Sequence, residues 1–207
     1  MDHIKTTLLL LGGGGHCRSC IDVIEAEGEF NIVGIVDKKG TNDISCMNYP
    51  LLGTDSDLIK LLEQYQSAIV TVGQIKSAET RIRLFEKLKS LGADIPRIVS
   101  PHSYLSKYSH VGAGTIIMHR ALINANTNIG ENCIINSQVL FEHDTIIESH
   151  CHISTGVKVN GGVHIEQGSF IGSGAVIREN VRIGARCIVG AGAIVLNDIP
   201  SGTLFRG

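Results

Sequence analysis

Residues 130–159 read GENCIINSQVLFEHDTIIESHCHISTGVKV, and an apolar residue recurs in this stretch at every sixth position. The same period runs without a slip from Leu105 to Val195, and a mostly small or β-branched residue follows four positions after each apolar one. A period of six matches neither the 3.6 residues of a helix nor the two residues of an ordinary strand. It predicts a solenoid in which each hexapeptide forms one side of a triangular coil, so that residue i stacks on residue i+18. The position just after the apolar residue is often Gly or Asn, and we expect the chain to turn there with positive φ.

The first hundred residues follow a different pattern. Apolar runs predict strands at residues 6–11, 31–36 and 68–72, and helical spacing predicts helices at residues 17–27, 55–65 and 78–91. Strands separated by helices of this length indicate a small parallel α/β domain of Rossmann-like type. We therefore predict two domains, an N-terminal α/β domain at residues 1–100 and a β-helix at residues 101–207.

Composition excludes several classes of protein. The net charge is −2 and no basic stripe is present, so nucleic acid is not an expected partner. The longest apolar run, around Leu8 to Leu11, is far shorter than a membrane span, and the first residues lack a signal-peptide layout. We expect a cytoplasmic protein whose six cysteines are thiols. Cys17 and Cys20 form one C-x-x-C pair without a second pair to complete a zinc site.

Solenoids of hexapeptides serve several chemistries, so the residues on the coil must decide between them. Carbonic anhydrases of this architecture bind a metal through three histidines, two of them separated by four residues, and no two histidines of this chain have that spacing. His150 and His152 lie two apart but lack a third ligand at suitable spacing. We predict no metal site.

The block Phe141-Glu142-His143-Asp144 carries the sharper hypothesis. His143 lies off the core positions and should point outward, where a neighbouring carboxylate could hold it in one tautomer and make it a general base. Gly161 lies 18 residues later, where it could leave room for a pantetheine arm and direct a backbone N–H at an oxyanion. From the residues alone, His143 could equally be a solvated histidine on a polar face.

Three runs on the coil, residues 134–136, 142–144 and 150–156, together with the N-terminal Gly12-Gly13-Gly14-Gly15-His16, resemble the NeuD/PglD-type family. This family comprises sialic-acid O-acetyltransferases and nucleotide-amino-sugar N-acetyltransferases. The resemblance implies that the β-helix is left-handed and that acetyl-CoA is the co-substrate. It further implies a homotrimer with acetyl-CoA clefts between neighbouring β-helices.

The same resemblance implies roles for individual residues. His143 would be the general base and Asp144 the acid that raises its basicity. Acetyl-CoA would contact His152, Ser173 and Ala191, beside the stacked Gly161, and Asn136 would lie near the acceptor.

The glycine loop, Gly12 to His16, follows a predicted strand and precedes a predicted helix, which is a setting for a phosphate at a helix N-terminus. A dinucleotide fingerprint fails because Cys17 replaces the third glycine, and about a hundred residues leave little room for an NAD-binding oxidoreductase fold. The resemblance implies a nucleotide sugar instead. Its contacts would be Gly13, Gly14, Gly15 and His16 near the phosphates, Asp37 and Lys38 near the nucleoside, and Gly73 near the base. The plain alternative is that the glycines only form a tight turn.

These observations predict an acetyl-CoA-dependent N-acetyltransferase acting on the amino group of a nucleotide-linked amino-deoxysugar in bacterial surface-glycan biosynthesis. The acetyl group would pass directly to the acceptor, because the repeat cysteines face inward and cannot serve as nucleophiles. Two alternatives remain: O-acetylation of a sialic-acid-like sugar, and a non-catalytic trimeric scaffold that binds a nucleotide sugar.

Overall fold

The computed structural model describes residues 5–38 and 46–207 of the 207-residue chain. The N-terminal part contains β1 (Thr6–Leu11), α1 (Gly15–Glu27), β2 (Phe30–Val36), β3 (Leu51–Gly53), α2 (Leu58–Tyr65), β4 (Ala68–Val70) and α3 (Glu79–Ser90). The four strands form one parallel sheet in the order β3-β2-β1-β4. The predicted parallel α/β arrangement is confirmed.

Most bounds agree with the prediction to within two residues, and two differences are larger. The short edge strand β3 was not predicted, and α2 begins at Leu58 rather than at Asp55. The segment before α2 forms a turn instead, because the Asp57 N–H donates to the Thr54 carbonyl at 2.9 Å and the Asp57 carboxylate accepts the Thr54 N–H at 2.8 Å. These bonds satisfy the backbone of residues 54–57 outside the helix.

From Ile98 onward the chain winds as a solenoid of two-residue strands. They are β5 (Ile98–Val99), β6 (Tyr104–Leu105), β7 (His110–Val111), β8 (Ile116–Ile117), β9 (Leu122–Ile123), β10 (Asn128–Ile129), β11 (Ile134–Ile135), β12 (Leu140–Phe141), β13 (Ile146–Ile147), β14 (His152–Ile153), β15 (Lys158–Val159), β16 (His164–Ile165), β17 (Phe170–Ile171), β18 (Val176–Ile177), β19 (Arg182–Ile183), β20 (Ile188–Val189), β21 (Ile194–Val195) and β22 (Leu204–Phe205). The first of them lies within the range predicted for the N-terminal domain.

The strands build the three faces of a left-handed parallel β-helix. Face 1 consists of β5, β8, β11, β14, β17, β20 and β22, face 2 of β6, β9, β12, β15, β18 and β21, and face 3 of β7, β10, β13, β16 and β19. Each strand from β5 to β21 pairs in parallel with strands 18 residues away, as Ile135 does with Ile117 and Ile153. The predicted register is confirmed, and the core is filled by the repeating apolar and small residues.

The predicted position of the positive φ at the corners is wrong. At most corners positive φ falls on the third residue after the apolar one, for example Asn126, Asp144 and Asn180, and not on the first. Each corner is a four-residue turn that needs positive φ at its third residue, as a type II turn does. Glycine recurs at the first corner position for another reason: a Cβ on Gly112 would lie 2.6 Å from the carbonyl carbon of Gly130 on the next coil.

Candidate active site

The corner that follows β12 presents His143 to solvent. The chain leaves the core at Phe141 and turns with φ of 61° at Asp144, and the Thr145 hydroxyl closes the turn by donating to the Glu142 carbonyl at 2.7 Å. Because Phe141 and Thr145 are buried, the residues between them are pushed outward, and the His143 side chain is 65% exposed. The outward direction predicted for His143 is thus what the corner produces.

His143 and Asp144 form a hydrogen-bonded pair with a defined polarity. His143 Nδ1 lies 2.7 Å from Asp144 Oδ2. Hydrogen bonds from Asn126 and then from His143 lower the pKa of Asp144, so the carboxylate is ionised and can only accept. The proton of a neutral imidazole is therefore held on Nδ1, and Nε2 keeps a free lone pair. That is the form of histidine that can take a proton from a nucleophile.

Gly161 lies against the His143 ring from the next coil, as the 18-residue stacking predicted. A Cβ at Gly161 would lie 2.9 Å from His143 Cε1 and 3.0 Å from Nε2, so only glycine leaves the ring in its place. Among the described residues the Gly161 N–H meets no protein acceptor. A cleft of about 500 Å³ opens here, bounded also by Glu142, Asp144 and Glu179. A base and a free N–H donor therefore share one cleft.

The other residues predicted to contact acetyl-CoA lie elsewhere on the same chain. His152 is on face 1, and Ser173 and Ala191 are at the corner that follows face 1, whereas His143 is at the corner that follows face 2. Asn136 lies at the same corner as Ser173, and its Oδ1 accepts the Ser137 N–H at 2.8 Å. A single chain does not bring these residues to His143.

The glycine loop lies at the carboxyl ends of the parallel strands, where α/β sheets bind ligands. Asp37 organises it: Oδ2 accepts the Gly13 N–H at 2.8 Å and Oδ1 accepts the Lys38 N–H at 2.7 Å. Gly14 and Gly15 are exposed, and α1 begins at Gly15 without a side-chain cap, so its first N–H groups are available to an anion.

Gly73 is the other predicted nucleotide contact, and it packs on the same loop. A Cβ on Gly73 would lie 3.3 Å from the His16 Cβ. The predicted substrate residues of the N-terminal domain are therefore brought together at one edge of the sheet. The C-x-x-C thiols lie beneath this edge, and burial raises the pKa of Cys17 to about 12.

The junction between the two parts of the chain buries a polar network that sequence reasoning missed. Arg81 is 1% exposed and donates to the main-chain carbonyls of Val70, Val72, Gly114 and Asn132, at 2.7 to 3.4 Å. It thereby ties the end of β4 to two corners of the solenoid. In the sequence Arg81 is one polar residue of an amphipathic helix, and nothing in the pattern marks it as buried.

Gln74 and two histidines complete this junction. The His152 Nδ1–H donates to the Gln74 carbonyl, and the Gln74 Nε2 donates to the His150 carbonyl at 2.9 Å. Burial, aided by the charge of Arg81, lowers the pKa of His152. Burial, then Arg81 and His152, lower the pKa of His16 to about 3. Both rings are therefore neutral, and their centroids lie 6.3 Å apart.

Within residues 5–38 and 46–207 no helix is long and apolar enough to cross a membrane.

Comparisons with known proteins agree with this geometry. The family model described as "PglD N-terminal domain" matches residues 7–88, and the model described as "Bacterial transferase hexapeptide (six repeats)" matches residues 162–197. A comparison with curated proteins gives no match.

Solved structures match nearly the whole chain. PerB from Caulobacter crescentus in complex with CoA and GDP-perosamine is 32% identical, with a TM-score of 0.88 over 97% of this chain and 93% of that one. A histidine variant of perosamine N-acetyltransferase from the same organism, with the same ligands, is 30% identical with a TM-score of 0.89, over 99% of this chain and 95% of that one. The acetyltransferase domain of PglB from Neisseria gonorrhoeae, in complex with acetyl coenzyme A, is 28% identical with a TM-score of 0.88, over 98% and 97% of the two chains.

The two-part fold, the glycine loop and the relatives that span the full chain lead to one conclusion: the protein belongs to the NeuD/PglD-type family of acetyl-CoA-dependent sugar acetyltransferases.

Proposed function

We propose that the protein transfers the acetyl group of acetyl-CoA to the amino group of a nucleotide-linked amino-deoxysugar, in bacterial surface-glycan biosynthesis, with His143 as general base. The observation that carries this proposal is the His143–Asp144 pair at one cleft, with Gly161 packed against the His143 ring. The relatives support the choice of acceptor, since PerB and the histidine variant of perosamine N-acetyltransferase are both in complex with GDP-perosamine.

The residues of the cleft divide the chemistry between them. Acetyl-CoA supplies the acetyl group as a thioester. His143 Nε2 takes a proton from the acceptor nitrogen as that nitrogen bonds to the acetyl carbon, and the resulting imidazolium returns the proton to the departing thiolate. The Gly161 N–H is free to donate to the carbonyl oxygen as it becomes negative. Asp144 balances the charge that His143 gains during the transfer.

The glycine loop supports a nucleotide sugar as the acceptor. Exposed Gly14 and Gly15 at the start of α1 offer N–H groups and positive dipole charge to a diphosphate. In this proposal His16 lies near the phosphates, and Lys38 and Gly73 lie near the nucleoside. Asp37 acts by holding the loop through Gly13.

A homotrimer explains why one chain separates His143 from Ser173, Ala191 and Asn136. In this proposal the corner that carries His143 faces the Ser173 corner of a neighbouring subunit, and acetyl-CoA binds between the two. Face 2 supports such an assembly, because three of its outward residues are large and apolar yet exposed, Tyr104 by 60%, Leu122 by 39% and Ile194 by 62%. Sedimentation equilibrium checks the trimer directly.

The test of function is turnover with a panel of nucleotide amino-sugars. Turnover is measured as release of the CoA thiol, and the mass of the sugar product shows whether it is acetylated. We expect N-acetylated product, with His143→Ala lowering kcat by about two orders of magnitude or more while the fold is kept. His164→Ala is the matched control, since this half-buried histidine lies on face 3 and bonds Glu148. Unchanged turnover in His143→Ala contradicts the role of His143, and product acetylated only on oxygen contradicts N-acetylation.

The ligand of the glycine loop has a separate test. Thermal shifts with UDP-, GDP- and CMP-sugars should exceed those with free sugar acids. Stabilisation by free sugar acids alone contradicts the assignment of the loop to a nucleotide, and binding of a nucleotide sugar without any acetyl transfer favours a scaffold role.

A further inference from the structure

Asn126 extends the His143–Asp144 pair by one more hydrogen bond. It lies one coil before Asp144, 18 residues earlier in the chain, and its Nδ2 is 2.6 Å from Asp144 Oδ1. The other carboxylate oxygen, Oδ2, is the one bonded to His143 Nδ1 at 2.7 Å. The three side chains thus form a continuous line from an amide, through a carboxylate, to an imidazole.

The direction of each bond in this line is fixed by chemistry. An ionised carboxylate can only accept, so Asn126 must donate from its amide nitrogen and His143 must donate from Nδ1. Asp144 uses one oxygen for each partner. The His143 Nε2 lone pair is left facing Gly161 and the cleft.

A carboxylate in this position needs an anchor. The Asp144 side chain is 54% exposed, and an exposed pair of side chains held by one contact gains little because rotation and water compete with it. Asn126 supplies a second contact on the opposite oxygen and so removes the rotation that would carry Oδ2 away from the ring.

A parallel bond keeps the neighbouring acid apart from this line. Asn124 Nδ2 donates to Glu142 Oε2 at 3.0 Å, while Asn124 Oδ1 accepts the Ala125 N–H at 2.8 Å. Each of two asparagines in one coil therefore bonds a different acid of the next coil, and of these two acids only Asp144 is bonded to His143.

We propose that Asn126 is a positioning residue for acetyl transfer, which holds the Asp144 carboxylate against His143 Nδ1 and so keeps the proton-accepting Nε2 directed into the cleft. The proposal rests on the proposed role of His143 as general base. Asn126 itself touches neither the His143 ring nor the reacting atoms, and it acts through Asp144.

The backbone at Asn126 decides which substitution is clean. Its φ is 58°, a left-handed conformation that asparagine and glycine adopt readily and alanine does not. Asn126→Gly therefore removes the side chain without straining the corner. Arg186→Gly is the matched control, because Arg186 has φ of 54° at the equivalent position of a corner that follows face 3, away from the proposed cleft, and is exposed.

The experiment measures kcat and KM against pH for wild type, Asn126→Gly, Asn126→Asp and Arg186→Gly. We expect Asn126→Gly to lower kcat about tenfold, with KM for acetyl-CoA within about twofold, because a base slightly out of place costs turnover more than binding. The acidic limb of its kcat profile should differ from that of the wild type, because Asp144 beside His143 loses the Asn126 hydrogen bond, the largest cause of its own lowered pKa. Asp144, Glu142 and Glu179 are the titratable groups that face His143 in the cleft.

Asn126→Asp keeps the shape of the side chain and replaces the donor by a second carboxylate, so it should lose at least as much turnover. Arg186→Gly should keep the wild-type kcat and pH profile. A wild-type kcat and pH profile in Asn126→Gly overturns the proposal, as does an equal loss of kcat in Arg186→Gly. If His143 is not the general base, the His143→Ala enzyme keeps the wild-type kcat. If only the role of Asn126 is wrong, Asn126→Gly keeps the wild-type kcat while His143→Ala is inactive.

Discussion

Gly161→Ala tests the geometry of the cleft with a single methyl group. The added Cβ would lie 2.9 Å from His143 Cε1 and 3.0 Å from Nε2, whereas carbon atoms in contact rest about 3.5 Å apart or more. The ring must therefore move by roughly 0.5–1 Å. A displacement of this size can cost on the order of a hundredfold in rate, so we expect kcat to fall about 10- to 100-fold, or about 1.4–2.7 kcal/mol in activation free energy.

The same substitution should cost little stability. Gly161 does not have a positive φ, and its nearest neighbours are atoms of an exposed side chain that can move. Gly112→Ala is the contrasting control, because its Cβ would meet the backbone of Gly130 at 2.6 Å and must distort the coil. Steady-state kinetics and thermal unfolding of both variants separate the effects. A Gly161→Ala enzyme with kcat within about twofold of wild type, or with a Tm loss as large as that of Gly112→Ala, refutes the reasoning.

Three further predictions concern the buried junction. Arg81→Met leaves main-chain carbonyls without donors and should lower the free energy of unfolding by roughly 3–5 kcal/mol in urea titrations. A loss below about 1 kcal/mol contradicts the role of Arg81 in joining β4 to the solenoid. The pKa of His16 is about 3 in the folded protein against 6.5 ordinarily, so the unfolded state takes up the proton first as the pH falls. Its contribution to stability is present above pH 6.5 and should be lost toward pH 3 at up to about 1.4 kcal/mol per pH unit. His16→Gln should show a smaller pH dependence of stability in this range, and an equal pH dependence in the variant and the wild type would disprove the prediction. His152 donates from Nδ1 to a carbonyl, so nitrogen-15 spectra at pH 7 should show Nε2 unprotonated; a protonated Nε2 in the free protein contradicts this tautomer.

Contacts within the solenoid were predictable because one period governs them. Once every sixth residue is placed in the core, the stacking of residue i on residue i+18 is fixed, and this rule alone places Gly161 beside His143. The same rule applied backwards from Asp144 would have pointed to Asn126. The position of positive φ was predicted from the frequency of glycine and is wrong, since the turn type decides which corner residue is left-handed.

The sequence by itself therefore determined the β-helix, its register, the outward corner with His143 and the glycine loop at the end of β1. Only the tertiary structure decided that Arg81 is buried and that Gln74 fixes the tautomer of His152. The physical reason is that a repeat encodes its own neighbours, whereas the docking of the α/β domain on face 1 depends on the packing of two unlike surfaces that no period describes.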